Sequence, residues 1–394
     1  MLANIYFDYA ATTPTHPDVL AKMLPYFTEL YGNPSSIYKF AQGNKTVLDV
    51  AREQVATAIG ADEKEILFTS GGTEADNWAI LGVAESYKNK GNHIITSSIE
   101  HHAVLHTCEY LEKNGFEVTY LPVDSDGVVS IDALKNAIKD NTILITIMYA
   151  NNEIGTIQPI KEIGIIAKEA GVLFHTDAVQ AVGHVPIDVI DNHIDLLSIS
   201  AHKLYGPKGP GALYIKKGVK LKAFIHGGGQ ERKRRGGTEN VPGIVGFGAA
   251  IERATKFMET ESARQLILRD YLIEQVLEKV PFAQLNGHPT NRLPNNANIS
   301  FDFIEGESML IMLDMQGFCA SSGSACTSGS LDPSHVLLAI GLKHESAHGS
   351  LRLTLGESNT KEQIDQFVEA LIKIVARLRE MSPLYEDYKK NNEV

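Results

Sequence analysis

A lysine, Lys203, follows the apolar segment Leu196–Ser200 and precedes a turn that begins at Gly206. An amine at the end of a buried strand lies in low-dielectric surroundings, which lower its pKa and make it nucleophilic. Most lysines are solvated at the surface, so position alone is weak evidence. Because Ser200 and His202 flank this lysine, a binding site is favoured.

Asp177 stands at the carboxyl end of the apolar residues 172–175. In open α/β sheets ligands bind at that edge, and a carboxylate there can hold a protonated ring nitrogen. A helix N-cap or a turn aspartate is the alternative interpretation. Gln180 lies three residues further on and is predicted to face the same ligand.

Residues 68–74, Phe-Thr-Ser-Gly-Gly-Thr-Glu, join an apolar strand to a helical segment. The backbone N–H groups and positive helix end at Gly72 and Thr73 suit a phosphate, although an ordinary turn with Thr73 as the N-cap fits equally. The Walker and G-x-G-x-x-G patterns are absent. A phosphate cradle, a strand-end aspartate and a buried lysine, in this order, are together what pyridoxal phosphate (PLP) requires.

Cys326 lies in residues 321–330, which are dominated by serine, glycine and alanine and contain no charged residue. Residues 317–333 are therefore predicted to form a mobile loop, on which an unpaired cysteine could enter and leave a site. Cys108 and Cys319 are predicted to be packing residues.

Three histidines, His101, His102 and His106, raise the question of a metal, but their spacing lacks the third ligand of a known zinc helix. No intrinsic metal site is expected. His101 instead follows a predicted strand and is expected to face the Asp177 site and stack on a planar ring. The basic run 232–238 predicts a phosphate or subunit contact, with a solvated loop as the alternative.

Apolar runs alternate with amphipathic segments through most of the first 250 residues, the rhythm of an α/β fold. The predicted strands are residues 65–69, 93–97, 117–121, 143–148, 172–175, 196–200 and 211–215. The predicted crossover helices are residues 46–58, 74–87, 103–113, 131–139 and 161–168. Beyond residue 251, predicted helices 263–279 and 361–381 enclose strands near 297–303 and 350–355, which indicates a smaller α+β domain.

The 394-residue chain carries a formal charge of -12 and three cysteines. The negative charge disfavours a general nucleic-acid binder, and so few cysteines cannot form a disulfide scaffold, so a reducing cytosol is expected. The N-terminal residues lack the pattern of a secretory signal, and the apolar residues 143–150 are too short to span a bilayer.

The chain resembles the cysteine desulfurases, a group of fold-type I, class V aminotransferase-like PLP enzymes. The Lys203 and Cys326 segments are highly specific, and the long cysteine loop is similar to that of the nitrogen-fixation and housekeeping iron–sulfur branch. The segments that carry the resemblance are residues 8–14, 32–36, 69–73, 100–101, 151–155, 175–180, 200–209, 235–240, 321–328 and 351–353.

The resemblance implies an α/β fold of PLP-dependent transferase fold type I. It implies a large PLP-binding domain, residues 15–255, built on a mainly parallel seven-stranded sheet. Residues 1–14 and 256–394 would form a smaller α+β domain that carries the cysteine loop.

The resemblance also implies site residues. Lys203 would hold the cofactor and remove the α proton, Cys326 would receive sulfur, and His101 would stack on the ring and help to move protons. Asp177 would pair with the pyridine nitrogen and Gln180 with the ring hydroxyl. The phosphate would be held by Gly72, Thr73, Ser200, His202 and, from the other subunit, Thr238. The substrate would be oriented by Asn152 and Arg352.

The implied reaction takes sulfur from L-cysteine and gives L-alanine and a Cys326 persulfide. The implied partners are a second copy of the chain and an iron–sulfur scaffold or another sulfur acceptor, with Cys326 as a transient ligand of the cluster. Neither nucleic acid nor a membrane is expected. A selenocysteine lyase, a class V aminotransferase and a non-catalytic sulfur-transfer partner are the alternatives.

Overall fold

The computed structural model of the chain describes residues 4–322 and 333–392. Its strands and helices, in chain order, are as follows. The strands are β1 (Ile5–Tyr6), β2 (Ile66–Thr69), β3 (His93–Ser97), β4 (Glu117–Leu121), β5 (Thr142–Thr146), β6 (Leu173–Asp177), β7 (Leu196–Ser200), β8 (Gly211–Ile215), β9 (Ala283–Asn286), β10 (Asn296–Phe301), β11 (Phe318–Cys319) and β12 (Ser350–Thr354). The helices are α1 (Pro17–Met23), α2 (Pro25–Thr28), α3 (Lys39–Ile59), α4 (Gly72–Tyr87), α5 (His102–Lys113), α6 (Ile131–Ala137), α7 (Ile160–Ala170), α8 (Gln230–Lys233), α9 (Val241–Lys279), α10 (Gly306–Asp314), α11 (His335–Ala339), α12 (His344–His348), α13 (Lys361–Glu380) and α14 (Pro383–Asn392).

The central sheet has seven strands in the order β2-β8-β7-β6-β5-β3-β4. Strand β8 pairs antiparallel with both β2 and β7, and the other neighbours run parallel. The predicted α/β fold with a mainly parallel seven-stranded sheet is therefore confirmed.

Strands β3, β5, β7 and β8 are buried along their whole length, as expected of strands covered on both faces, whereas the edge strand β4 is partly exposed. Alternate side chains of β5 enter different cores: Leu144 packs in the cluster around α4 and α5, and Ile145 packs in the cluster around α3, α7 and α9. Layers of helices on both faces leave the carboxyl ends of the strands as the open edge, where ligands bind in such folds.

A separate apolar core forms around the three-stranded antiparallel sheet β9-β10-β12 and the parallel pair β1-β11. Phe7 and Phe318 pack edge-on against Phe367 of α13 there, with ring centroids 5.2 and 5.6 Å apart. The N-terminal strand thus belongs to the core that the C-terminal residues build.

Strands β3, β4, β7 and β8 have the predicted bounds, and the other predicted strands shift by one or two residues. The prediction of a helix starting near residue 263 was wrong, because α9 runs without a break from Val241. Phe318 and Cys319 form β11 rather than part of a loop. None of the helices in residues 4–322 and 333–392 combines the length and apolar character that a membrane span needs.

Candidate active site

A cavity of about 210 Å³ opens at the carboxyl ends of the central strands. Its lining contains ten of the residues that the sequence singles out. These are Gly72, Thr73, His101, Asn152, Asp177, Gln180, Ser200, His202, Lys203 and Arg352. Nine of the ten lie at or just after the carboxyl ends of β2, β3, β5, β6 and β7, which all run in one direction and so bring these residues to one edge of the sheet. The tenth, Arg352, comes from β12 of the three-stranded sheet.

Lys203 lies in a single 3-10 turn, Ala201–Lys203, that directly follows β7. Its Nζ atom donates hydrogen bonds to the carbonyl oxygens of Ala10 and Ala11, over 2.5 and 2.8 Å. The N-terminal segment therefore supplies one wall of the cavity and positions the amine. Sequence reasoning did not find these two carbonyl contacts, since alanines carry no side-chain signal.

Asp177 is the last residue of β6 and is 7% exposed. Its Oδ1 accepts a hydrogen bond from the Val179 N–H over 2.9 Å. Burial raises the pKa of Asp177 to about 6, although that N–H and the charge of Lys203 act in the opposite direction. A cationic group at this carboxylate, such as a protonated ring nitrogen, would lower that pKa and favour the ionised form further.

A second carboxyl group, Asp76, lies beside Asp177 and was not singled out from the sequence. It is 1% exposed, and its Oδ1 has no hydrogen-bond partner among the described residues. Burial, with the neighbouring Asp177, raises the pKa of Asp76 well above its usual range. Asp76 lies four residues after Gly72 in α4, so the helical period could have placed both on one face.

His175 supports this pair from within β6. Its ring nitrogens lie 2.8 Å from Thr146 Oγ1 and 3.0 Å from Ser198 Oγ, and Nε2 is 3.7 Å from Asp76 Oδ1. Burial lowers the pKa of His175 to about 3, so the ring is neutral. The carboxyl group of Asp76 thus lies beside a neutral imidazole.

The start of α4 forms a cradle at another side of the cavity. The helix begins at Gly72, and its N-cap, Gly71, provides no side-chain hydrogen bond. The alternative in which Thr73 caps the helix is therefore wrong. A Cβ atom at Gly72 would lie 2.8 Å from Val179 Cγ2, so only glycine fits without a shift. Ser200 and His202 line the same cavity and add polar groups.

His101 is the N-cap of α5, and its Nδ1 accepts a hydrogen bond from the Ala103 N–H over 3.1 Å. Burial and the charge of Lys203 lower the pKa of His101 to about 4. The ring is therefore neutral near pH 7, with its remaining proton on Nε2. Such an imidazole can stack on a planar ring and donate one proton.

Glu100 lies directly behind His101 and is fully buried. It accepts hydrogen bonds from the Ser97 hydroxyl over 2.6 Å and from the Met148 N–H over 2.9 and 3.0 Å. Burial nevertheless raises the pKa of Glu100 to about 8. The side chain ties the loop after β3 to the loop after β5, and so positions His101.

Arg352, in β12, is 2% exposed and brings a cation to the cavity. Its Nη2 donates to Asp8 Oδ1 over 2.8 Å and its Nη1 to the Asn152 carbonyl oxygen over 3.2 Å. Its Nε is buried without a hydrogen-bond partner among the described residues. A guanidinium held in this way suits a ligand carboxylate.

These groups fit PLP. A helix N-terminus with serine and histidine nearby suits the phosphate, a buried carboxylate suits the ring nitrogen, and an amine suits the aldehyde. The unpartnered Asp76 oxygen and Arg352 nitrogen indicate that polar ligand atoms complete the cavity. Ligand atoms of Asp76, His101 and Asp177 also lie within 4.8 Å of one another, a spacing that could hold a metal ion.

Thr238 does not line this cavity within one chain. It lines a separate depression with Ser70, Gly237 and Asn240 among others. Arg235, from the basic run, pairs there with the Glu74 carboxylate through Nε and Nη2, over 2.9 and 3.1 Å. Arg235 thus forms an ion pair with a residue of its own chain.

Of the three cysteines, Cys108 is buried in α5 and Cys319 is half-buried in β11. Burial raises the pKa of both thiols, which agrees with the prediction that they are packing residues. Cys326, the predicted sulfur acceptor, lies outside the described residues.

Comparison with known proteins adds independent findings. Residues 5–367 match the family described as aminotransferase class-V. The chain is 60% identical over 395 residues to "Cysteine desulfurase IscS" of Clostridium botulinum (strain Hall), with both sequences covered in full.

Two solved structures are similar. A "NIFS-like protein" is 39% identical and superposes with a TM-score of 0.90, over 95% of this chain and all of that one. A structure described as "SspA in complex with cysteine" is 41% identical, with a TM-score of 0.79, over 89% of this chain and 98% of that one.

Proposed function

This chain belongs to the class V aminotransferase family, and on that premise we propose that it is a PLP-dependent cysteine desulfurase. It takes the sulfur atom from L-cysteine and releases L-alanine, while the Cys326 thiol becomes a persulfide. Atoms balance without an added oxidant, since the thiol gains one sulfur and the cysteine loses one. The observation that carries the proposal is the meeting of Lys203, Asp177, His101 and Arg352 in one cavity.

PLP, when bound, supplies an electron sink for a carbanion at the substrate α carbon. The carboxylate of Asp177 stabilises the positive charge of the ring nitrogen. The N-terminal turn of α4 holds the phosphate through backbone N–H groups at Gly72 and Thr73, with Ser200 and His202 beside it. The amide of Gln180, which lines the cavity and donates to the Ala10 carbonyl over 3.0 Å, binds the ring hydroxyl.

Lys203 forms the covalent attachment and, when released from it, acts as the base that removes the α proton. The carbonyls of Ala10 and Ala11 keep its amine in the cavity. His101 stacks on the ring, and because it is neutral it can donate the Nε2 proton and take it back.

Arg352 binds the substrate carboxylate through its guanidinium, and Asp8 fixes the orientation of that group. Asn152 borders the same part of the cavity and assists in placing the amino acid. This arrangement favours α-amino acids, since a ligand carboxylate can make charge-assisted hydrogen bonds with the buried guanidinium, whose Nε has no partner among the described residues.

We propose that the protein works as a homodimer in a reducing cytosol. Thr238 lines a separate depression in its own chain, so it could complete the phosphate site of a second chain. A large domain, residues 15–255, and a small domain, residues 1–14 and 256–394, agree with the separate cores around the two sheets. The persulfide passes to an iron–sulfur scaffold or another acceptor protein, and neither nucleic acid nor a membrane takes part.

The test supplies L-cysteine to the PLP-loaded protein and measures alanine together with sulfide released by a reductant. We expect equal amounts of both from the wild type. Cys326→Ala should keep the cofactor absorbance and lose sulfide release, and Lys203→Ala should lose the covalent cofactor. A protein that transfers amino groups but yields no alanine from cysteine would instead be an aminotransferase. Turnover of selenocysteine alone would indicate a selenocysteine lyase, and a colourless, inactive protein would indicate a non-catalytic partner.

A further inference from the structure

Three histidines that the proposed reaction does not use lie together next to His101. The ring centroid of His102 is 4.9 Å from that of His106 and 4.9 Å from that of His335. His102 and His106 lie one helical turn apart on α5, and His335 is the first residue of α11. The fold therefore supplies the third imidazole that the sequence pattern lacked.

The central ring of the three, His102, is unsatisfied. Both of its ring nitrogens are buried, and neither has a hydrogen-bond partner among residues 4–322 and 333–392. A buried polar atom without a partner is costly, and such atoms often mark the place of an absent water or ion.

His335 is oriented as metal-binding histidines usually are. Its Nε2 lies 3.0 Å from the backbone carbonyl oxygen of Glu100, so that nitrogen carries the proton and donates it. The lone pair is then on Nδ1. Metal ligands of this type typically donate their other ring N–H to a carbonyl or carboxylate, which fixes the tautomer and the ring orientation.

We propose that His102, His106 and His335 bind one divalent transition-metal ion of the zinc, nickel or copper class, with a remaining position for water. Neutral imidazole nitrogen is a preferred ligand of these ions. The ring of His106 is stacked on that of His102 at 28°, so binding requires this exposed side chain to turn. A cavity of about 540 Å³, which both residues line with Asn77 and Tyr110, gives it room.

The site is distinct from the cofactor cavity, although His101 borders both cavities. The cluster of Asp76, His101 and Asp177 is a competing metal position, which PLP would cover in the loaded protein, since Asp177 would hold the ring nitrogen of the cofactor. A bound ion at the three histidines would join α5 to α11 beside His101.

The chain offers a matched control. His344 and His348 also lie one turn apart on a helix, α12, with ring centroids 6.4 Å apart. Within the described residues, no third histidine ring contacts that pair. The His344/His348 pair therefore measures the metal affinity of two histidines that have no third ligand ring beside them.

The experiment titrates ZnCl₂ into PLP-loaded protein, without cysteine, by calorimetry and by equilibrium dialysis with metal analysis. All proteins carry Cys326→Ser, so that thiolate binding does not contribute. We expect one zinc ion per chain in this background and in the His344→Ala/His348→Ala variant. His106→Ala and His335→Gln should each weaken binding at least tenfold, with unchanged circular dichroism and cofactor absorbance.

Equal zinc affinity in the background protein, His106→Ala and His335→Gln would overturn the proposal, as would loss of binding in the His344→Ala/His348→Ala variant alone. Absence of saturable binding in the background protein would overturn it too. Because no turnover is measured, the result does not depend on the proposed desulfurase reaction.

Discussion

The Nη2 atom of Arg352 donates a hydrogen bond over 2.8 Å to the carboxylate of Asp8, a residue 344 positions earlier in the chain. The contact joins the N-terminal segment to β12 and places a guanidinium at the cavity. The contact uses only some of the N–H groups of the guanidinium, and the buried Nε has no partner among the described residues. The proposed binding of the substrate carboxylate thus rests on a pair that no local sequence pattern contains.

Arg352→Lys should raise the KM for L-cysteine by about tenfold or more, because lysine keeps the charge but loses the planar fork. Asp8→Asn is the matched control, since its amide oxygen can still accept from Nη2, and its KM should stay within about threefold of the wild type. Steady-state kinetics checks both values. An unchanged KM in Arg352→Lys would show that this arginine does not bind the substrate.

Replacing each of the two carboxyl groups in the cavity lining, Asp76 and Asp177, by a neutral amide should change kcat by different amounts. Because burial raises the pKa of Asp76 well above its usual range and so favours its neutral form, Asp76→Asn should change kcat by less than about threefold. Asp177→Asn removes the anion that we propose holds the ring nitrogen and should lower kcat more than about 100-fold. Equal losses in the two variants, with PLP bound in both, would refute this division of roles.

Glu100 should make stability depend on pH. Its pKa is about 8 in the folded protein, above its ordinary value of 4.5. The folded state therefore holds the proton more tightly, and the stability present below pH 4.5 is lost as the pH rises toward 8. The Glu100→Gln variant has no carboxyl group to ionise and so has no such loss. The free energy of unfolding of the variant minus that of the wild type should therefore increase from pH 5 to pH 8, by up to about 1.4 kcal/mol per pH unit.

Fluorescence of Trp78 offers a readout for that comparison. It is the chain's single tryptophan and is fully buried in α4. Urea unfolding of both PLP-loaded proteins at the two pH values gives the difference. A difference that does not vary with pH would mean that Glu100 is ionised in the folded protein.

Thr238 can be tested by mixing subunits. If it acts across a dimer, a hybrid of one Lys203→Ala chain and one Thr238→Ala chain contains one intact site, because the first chain lends its threonine to the lysine of the second. We expect that hybrid to retain about half of the wild-type activity at low PLP concentration, where the Thr238→Ala homodimer loses its cofactor. A hybrid no more active than that homodimer would mean that Thr238 acts within its own chain.

The bounds of β3, β4, β7 and β8 follow from the sequence because short apolar runs between turn residues leave little choice of end. The start of α9 at Val241 does not follow from the sequence. Gly246 and Gly248 disfavour a helix, yet a Cβ atom at Gly246 would lie 2.5 Å from Met23 Sδ, and one at Gly248 2.8 Å from Ala51 Cα. Close packing against α1 and α3 overrides the poor propensity of these residues.

The residues of the site also fall into those that the sequence predicts and those that it does not. Lys203, Asp177 and the Gly72 turn could be predicted because each stands where a strand ends, which a linear pattern shows. The proximity of Asp76 to Asp177 and the contact of Asp8 with Arg352 could not, because only the folded chain brings these pairs close, although the helical period does place Asp76 on the face of Gly72. His335 is the third example, since nothing in its own segment points to His102.

The most direct test asks which atom takes the sulfur. PLP-loaded protein is given one equivalent of ³⁵S-labelled L-cysteine without reductant, digested under non-reducing conditions and mapped by mass spectrometry. We predict one label per chain, as a mass increase of about 32 Da, the mass of one sulfur atom, on the peptide that contains Cys326, with one alanine formed per label. Label on Cys108 or Cys319, or alanine formed with no persulfide on Cys326, would contradict the account.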